Sequence, residues 1–338
     1  LQKTAVCAVD EKGETIFKRI IVSEAETLLN CLSKYKDDIE LVGLEACPLS
    51  EWLHAALIGA GYKAFCLETR HTQRFLSTRP NKTDRTDAHG IATMMRVGHF
   101  KEVHVKSEES QLMRAMLTGR KRLVGAMLQI ENTIRGLLRI RGLKIGKVHR
   151  NQYSTHVEML CADHQDILAV IMPLLRVRNE MREQLRILDL ALGRAARNDS
   201  VCKKFLAIPG VGPLTSLAFK ATIDDPRRFA SSRTVPSHLG LTPRVYQSGE
   251  IDRSGHISKS GDKLLRYLLV EAATAMLLRS KKWCSIKSWG VRLAKRVGMS
   301  KAIVAVARKI AIVMHKIWLT GDDFRFGETS PPASASVA

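Results

Sequence analysis

The chain has 338 residues, of which 45% are hydrophobic and 26% charged, the balance of a folded chain and not of a disordered one, with room at roughly 150 residues per domain for two domains or three. Lys and Arg number 54 against 33 Asp and Glu, a formal charge of +21, so the expected partner is a polyanion, either nucleic acid or an anionic membrane surface. The longest apolar stretches are broken by Arg266, Glu271, Arg308 and Lys309 and fall short of the ~18 uncharged residues a membrane span needs, which leaves nucleic acid as the leading partner and no membrane.

The first hundred residues alternate between strand and helix patterns. Residues 4–9 and 15–22 are short runs of small and β-branched side chains separated by Lys12-Gly13, and both read as strands. Asp10 and Glu11 cut the first run short, so it does not read as a signal peptide. Ser23-Glu24-Ala25-Glu26 has the capping-box pattern and predicts a helix reaching about Tyr35. Residues 40–44 read as a third strand. Residues 48–60 read as an amphipathic helix with a proline near its start and Gly61 as its C-cap. Residues 62–67 predict a fourth strand, residues 84–97 a helix and residues 103–105 a last short strand. The alternation argues for a layered α/β domain over residues 1–105. Residues 1–100 carry 13 Lys/Arg and 13 Asp/Glu, so the whole positive excess belongs to the rest of the chain.

From 106 to 195 apolar residues recur at three and four spacings, as in Leu112, Met116, Leu123, Met127, Ile130 and Ile134, and again from Ile167 to Leu192. These are long amphipathic helices, read as an antiparallel pair or coiled coil that also joins subunits into a dimer or tetramer. The connector between them carries Arg135, Arg139 and Arg141 among glycines; it is either a solvated loop or a segment that tracks phosphates. Residues 196–321 predict a mainly α unit, and 322–338, rich in Pro, Ser and Ala, a disordered tail. Within that unit an apolar segment runs into Pro209-Gly210-Val211-Gly212-Pro213 and then a helix start. This is a helix-hairpin-helix-like pattern in which Gly210 and Gly212 let backbone N–H groups approach a phosphate; a plain tight turn is the alternative. The Gly/Ser-rich stretch that follows mixes Arg244, Lys259 and Arg266 with Ser248, Ser254, Ser258 and Ser260. Such loops can wrap a DNA backbone and set a hydroxyl beside cations, and the residues alone do not choose among the four serines. The seven cysteines are scattered, odd in number and without a C-x-x-C pair, which reads as cytosolic free thiols and not as a disulfide framework or zinc site.

Four acids fall where strands end or helices begin: Asp10 and Glu45 after strands, Asp84 and Asp87 in the first turn of a helix. In a layered domain such positions converge on one edge, where carboxylates repel unless a hard cation such as Mg²⁺ lies among them. Each acid singly is an ordinary cap or turn former; only the set carries the metal reading.

Val9-Asp10, Gly43-Leu44-Glu45-Ala46 and Asn81-Lys82-Thr83-Asp84-Arg85-Thr86-Asp87-Ala88 resemble the acidic blocks of the DEDD insertion-sequence transposases, a family that includes bridge-RNA-guided recombinases and related site-specific DNA invertases. Gly240-Leu-Thr-Pro243, Gln247-Ser248-Gly249 and Ile257-Ser-Lys259-x-Gly261-Asp through Arg266 resemble its C-terminal transposase domain. The resemblance covers roughly residues 4–320 in the family's order. It implies an RNase H-like, RuvC-like N-terminal domain with Asp10, Glu45, Asp84 and Asp87 as Mg²⁺ ligands, two metals being possible. It implies Ser248 as the nucleophile on DNA element ends and target, a non-coding guide RNA, and the cytosol or nucleoid of a bacterium. An RNase H-like sheet usually opens with a three-strand meander, whereas here only about 13 residues separate Asp10 from Ser23. Two rivals stand beside this reading: a hydrolytic junction resolvase or nuclease using the four acids alone, and a non-catalytic nucleic-acid-binding protein.

Overall fold

A computed structural model describes residues 2–77, 83–248 and 251–327. The chain forms two compact units, Leu1–Lys106 and a second from Ser107 onward.

In the first unit β1 (Lys3–Val9) and β2 (Thr15–Val22) form an antiparallel hairpin, running from Lys3 opposite Val22 to Val9 opposite Thr15. The Asp10 carboxylate accepts the Lys12 and Glu14 N–H groups at 3.0 and 2.8 Å, and Gly13 supplies the positive φ of the turn. The chain then passes through α1 (Ala25–Ser33), β3 (Val42–Glu45), α2 (Ser50–Gly59), β4 (Ala64–Leu67), α3 (Thr69–Leu76) and α4 (Asp84–Arg96). No third strand stands between β2 and α1. β3 and β4 pair in parallel, Glu45 opposite Leu67, with α2 as the crossover that parallel strands require. Among the described residues no ladder joins the two pairs; instead α4 packs across β1, β2 and β3. Phe17, Leu28, Leu32, Leu53, Leu57 and Tyr62 form the core.

Two local expectations are corrected, and one helix was not expected. Ser23 does not cap α1: Glu24 occupies the N-cap without a side-chain bond, and the buried Ser23 bonds Thr4 Oγ1 through its hydroxyl at 2.7 Å. The reciprocal box forms at Thr83 and Thr86 on α4. The strand expected at 103–105 shrinks to a single bridge between Leu67 and Glu102, because β4 is only four residues long and offers little edge. α3 carries polar residues on most of its length and has no apolar period to announce it.

The second unit is built on α5 (Glu108–Arg139) and α7 (Gln165–Asn198). They run antiparallel. Ile134 and Leu138 near the end of α5 share a buried cluster with Ile167, Ile171 and Leu175 near the start of α7. Leu117, near the start of α5, shares another with Leu192 and Ala196. Arg120 and Asp189 pair between these ends at 2.5 Å. At the distal end α6 (Tyr153–Leu160) folds the connector onto that first cluster, to which it adds Tyr153 and Val157. At the proximal end the chain continues through α8 (Ser200–Leu206), α9 (Pro213–Ile223), α10 (Val235–His238), β5 (Pro243–Ser248), β6 (Ile251–Ile257), α11 (Lys263–Thr274), α12 (Ser285–Val297) and α13 (Met299–Thr320). α13 is the axis of this core, burying Ala302, Val306, Ala307, Ile310, Ala311 and Met314 completely.

The start of the expected tail is ordered. Phe324 is buried in the core and the Phe326 carbonyl accepts the Ser285 N–H at 2.9 Å; residues 328–338 lie outside the described residues. The Gly/Ser-rich stretch expected as flexible loops pairs into an antiparallel ladder, β5 with β6, from Pro243 opposite Ile257 to Ser248 opposite Ile251.

Candidate functional site

In the first unit Asp10 and Glu45 each follow or end a strand, as their positions predict, and Asp84 and Asp87 open α4 one turn apart on one side. Their convergence does not follow. The last turn of α4, and not its acidic first turn, meets the β1–β2 turn: Arg96 donates to the Glu11 carbonyl at 3.0 Å. The helical rise places Asp84 roughly 18 Å along the axis from Arg96. Among the described residues no group of three His, Cys, Asp or Glu side chains is close enough to hold one metal ion. In donor type the set suits Mg²⁺, since all its ligands are hard carboxylate oxygens. Lys82 and Asn81 of the acidic block lie outside the described residues.

A cavity of about 350 Å³ opens just past the end of β3, lined by Cys47, Ser50, Glu51, Cys66 and His104 among others. Sequence reading did not find it, because Glu51 and His104 sit in no recognisable spacing. Burial pushes the Cys66 thiol up to about 11, so it remains protonated at neutral pH and is no nucleophile.

In the second unit Ser248 stands on the last described rung of the β5–β6 ladder, opposite Ile251; Gly249 lies outside the described residues. The roots of this hairpin are interlocked. Gly240 and Gly261 have φ of +67° and +73°. A Cβ on Gly240 would lie 2.2 Å from the Ser260 carbonyl oxygen, and one on Gly261 would lie 2.0 Å from that of His238; glycine alone permits both the dihedral and the approach. The Ser258 N–H donates to Thr242 O and the Lys259 N–H to Gly240 O, and Lys259 is exposed in a left-handed conformation at φ +55°. Arg244 donates to the Ser258 carbonyl at 3.2 Å. Ser258 and Ser260 share a 2.9 Å hydroxyl–hydroxyl bond. Arg266 donates to the carbonyls of Leu239 and Ser260. Asp262 caps α11 through the Leu265 N–H and pairs with Arg114. Burial alone would raise its carboxyl, but those N–H bonds and Arg114 outweigh burial and hold it below the usual range.

The helix-hairpin-helix expectation is altered at Gly210. Its φ is +84° and an added Cβ would lie 2.2 Å from Ala272 O, so this glycine packs the turn onto α11. Ile208 and Val211 on either side are buried. Gly212 is the N-cap of α9, with nothing within 4 Å of a Cβ built there. Arg135 and Arg139 line a cleft of about 390 Å³ at the end of α5 with Lys144, Leu143, Ile145 and Gly146. Arg141 is paired with Asp166. No acid occurs between Glu131 and Glu158, so the end of α5 and the connector that follows it are strongly cationic.

Similarity to known proteins gives these features a family. A DEDD-type transposase family matches residues 2–141, and the family described as transposase IS116/IS110/IS902 matches residues 202–288. The transposase for insertion sequence element IS1111A of Coxiella burnetii is 29% identical over 327 residues, covering 95% of this chain and 88% of that protein. A probable family 20 transposase of Pseudomonas aeruginosa is 29% identical across 81% of this chain and 82% of its own length. A pilin gene-inverting protein of Moraxella lacunata is 29% identical across 32% of this chain and 34% of its own. An acid-bearing α/β unit followed by a basic helical unit, matched in that order, defines an enzyme that cleaves and rejoins DNA, a transposase. Within that class the chain is similar to the IS110/IS116 DEDD insertion-sequence transposases over residues 2–141 and 202–288. Among the described residues no helix is long and apolar enough to cross a membrane.

Proposed function

We propose that this transposase moves its insertion element through a covalent serine intermediate, guided by a non-coding RNA transcribed from the element. The Ser248 hydroxyl oxygen attacks a DNA phosphodiester; a serine–phosphorus ester forms, and the displaced deoxyribose oxygen leaves with a proton. A hydroxyl of a second strand then attacks the same phosphorus, restoring a phosphodiester and returning the proton to Ser248. The ester keeps the bond energy for rejoining, which hydrolysis would discard. Asp10, Glu45, Asp84 and Asp87, which the single chain does not gather into one metal-holding group, would hold Mg²⁺ once the assembled complex brings them together, and its charge would stabilise the anionic phosphate in the transition state. The acids of one subunit would serve the serine of another in a dimer or tetramer, and the exposed Leu128, Val177, Ile187 and Leu190 on α5 and α7 offer apolar surface for such assembly.

The observation that carries this reading is the location of Ser248 at the far end of a hairpin whose roots are interlocked by Gly240, Gly261 and Arg266. A stiffly rooted ladder holds the backbone at Ser248 without ordering it anew at each turnover. Incubation with element-end DNA, the flanking transcript and Mg²⁺, followed by a denaturing gel, is expected to show a protein–DNA adduct that Ser248→Ala abolishes. Cleavage that survives Ser248→Ala with no adduct would establish a hydrolytic nuclease instead. Transposition untouched by Asp10→Ala and Asp87→Ala would remove the acids from the chemistry.

A further inference from the structure

We infer that Arg266 is a positioning residue for the β5–β6 hairpin, and not one of the phosphate contacts its place in a basic stretch suggests. The inference rests on the serine reading above, because what the hairpin carries at its end is Ser248.

The geometry is specific. Leu239 lies four residues before β5 begins and Ser260 three residues after β6 ends. The Nη1 amino group of Arg266 donates to both, at 3.0 Å to Leu239 O and 2.7 Å to Ser260 O. It has two hydrogens, so each carbonyl receives one. A charged donor strengthens both bonds. The two segments could not come this close with side chains at 240 and 261, since the glycines there lie against Ser260 and His238 backbone. Arg266 is itself on the first turn of α11, whose cap Asp262 is paired to Arg114 of α5. A continuous set of bonds therefore runs from the long helix α5 through the start of α11 to both roots of the hairpin. Loss of the guanidinium would leave two carbonyls without their donor and let the roots separate. A hinge at the root is amplified along the ladder, so a small change there moves Ser248 by more.

A phosphate contact and a positioning role predict different losses. The test uses the full chain with a linear DNA carrying the element end, the flanking transcript and Mg²⁺, and scores DNA retention in a gel shift separately from covalent adduct on a denaturing gel. Arg266→Ala is expected to retain DNA within about twofold while the adduct rate falls at least tenfold. Amide hydrogen exchange should quicken over 239–248 and 251–261 while α13 stays protected, and the midpoint of unfolding reports whether the fold persists. Millimolar guanidinium should restore adduct formation in Arg266→Ala, and the same concentration of KCl should not. Gly261→Ala, which disturbs the same contact from the other side, should show the same split without guanidinium rescue. Equal losses of retention and adduct, or exchange unchanged over 239–261, would overturn the inference. If Ser248→Ala still forms adduct, the serine reading fails, while the exchange result still decides whether Arg266 holds the hairpin.

Discussion

Gly210 combines a left-handed backbone with a carbonyl 2.2 Å from where a Cβ would sit. Gly210→Ala should therefore cost about 2–5 kcal/mol, from the left-handed strain and forced repacking together, read as a lower urea midpoint. At Arg178 the constraint is electrostatic. This side chain is 1% exposed, bonds Glu131 at 3.0 Å and the Arg150 carbonyl at 3.1 Å, and lies 4.6 Å from the Tyr153 ring centre. Removing it strands Glu131, so Arg178→Ala should cost about 3–5 kcal/mol, whereas Arg178→Met together with Glu131→Leu should cost less; the double-mutant comparison in denaturant checks this. His315 is fully buried, its two ring nitrogens engaged by Pro226 O and Ser232 Oγ, both at 2.9 Å. Burial lowers its pKa, the bond to Pro226 O opposes this, and nearby Arg228 adds to the lowering. The unfolded chain then binds a proton more readily than the folded one. Stability is unaffected above the ordinary histidine range and declines as pH falls through about 6.5 toward the lowered value. His315→Gln should flatten the unfolding midpoint between about pH 7 and pH 5.

At the scale of elements, α8 and α9 are fastened by one acid. Asp199 caps α8 through the Cys202 N–H at 2.8 Å and pairs with Lys220 of α9 at 2.5 Å. Burial would raise its carboxyl, but Lys220 and the Cys202 N–H outweigh burial and hold it below the usual range; Lys220 is held above its own. The carboxyl's contribution is complete above the unfolded value near 4 and is lost as pH falls below it. Asp199→Ala should cost about 1–3 kcal/mol, from the lost cap and the lost charge-assisted bond together, while Glu109 still pairs with the Lys220 ammonium at 2.9 Å, with a smaller loss at pH 3 than at pH 7. The long helices were legible because their apolar period runs through nine or ten turns. β5 and β6 were not, since Pro-Arg-Val-Tyr-Gln-Ser and Ile-Asp-Arg-Ser-Gly-His-Ile carry no regular apolar–polar alternation and the pairing is held instead by its roots. The capping box at 23–26 misled for a related reason: Thr4 from the neighbouring strand took the Ser23 hydroxyl that the local pattern assigned to the helix.

Over the whole molecule, the positive excess lies entirely beyond residue 100, and the distal end of α5 and α7 concentrates part of it. If Arg135, Arg139 and Lys144 each neutralise a phosphate, their triple alanine variant should weaken DNA retention at every sequence tested and reduce the salt slope by about 2–3; titration of binding against KCl reads both. An unchanged slope would place the nucleic acid elsewhere. By itself the sequence determined the class of protein. The order of acidic block, long amphipathic helices and Gly-Leu-Thr-Pro to Arg266 block is a matter of residue identity, and identity needs no coordinates. It also determined that Asp10, Glu45, Asp84 and Asp87 occupy strand ends and a helix start, because caps and turns are local. Only the tertiary structure decided which end of α4 meets the β1–β2 turn, that Gly210 packs against α11, and that Arg266 holds backbone carbonyls. Those outcomes depend on which distant surfaces come together, and a guanidinium has the same sequence signature whether it faces a phosphate or a carbonyl oxygen.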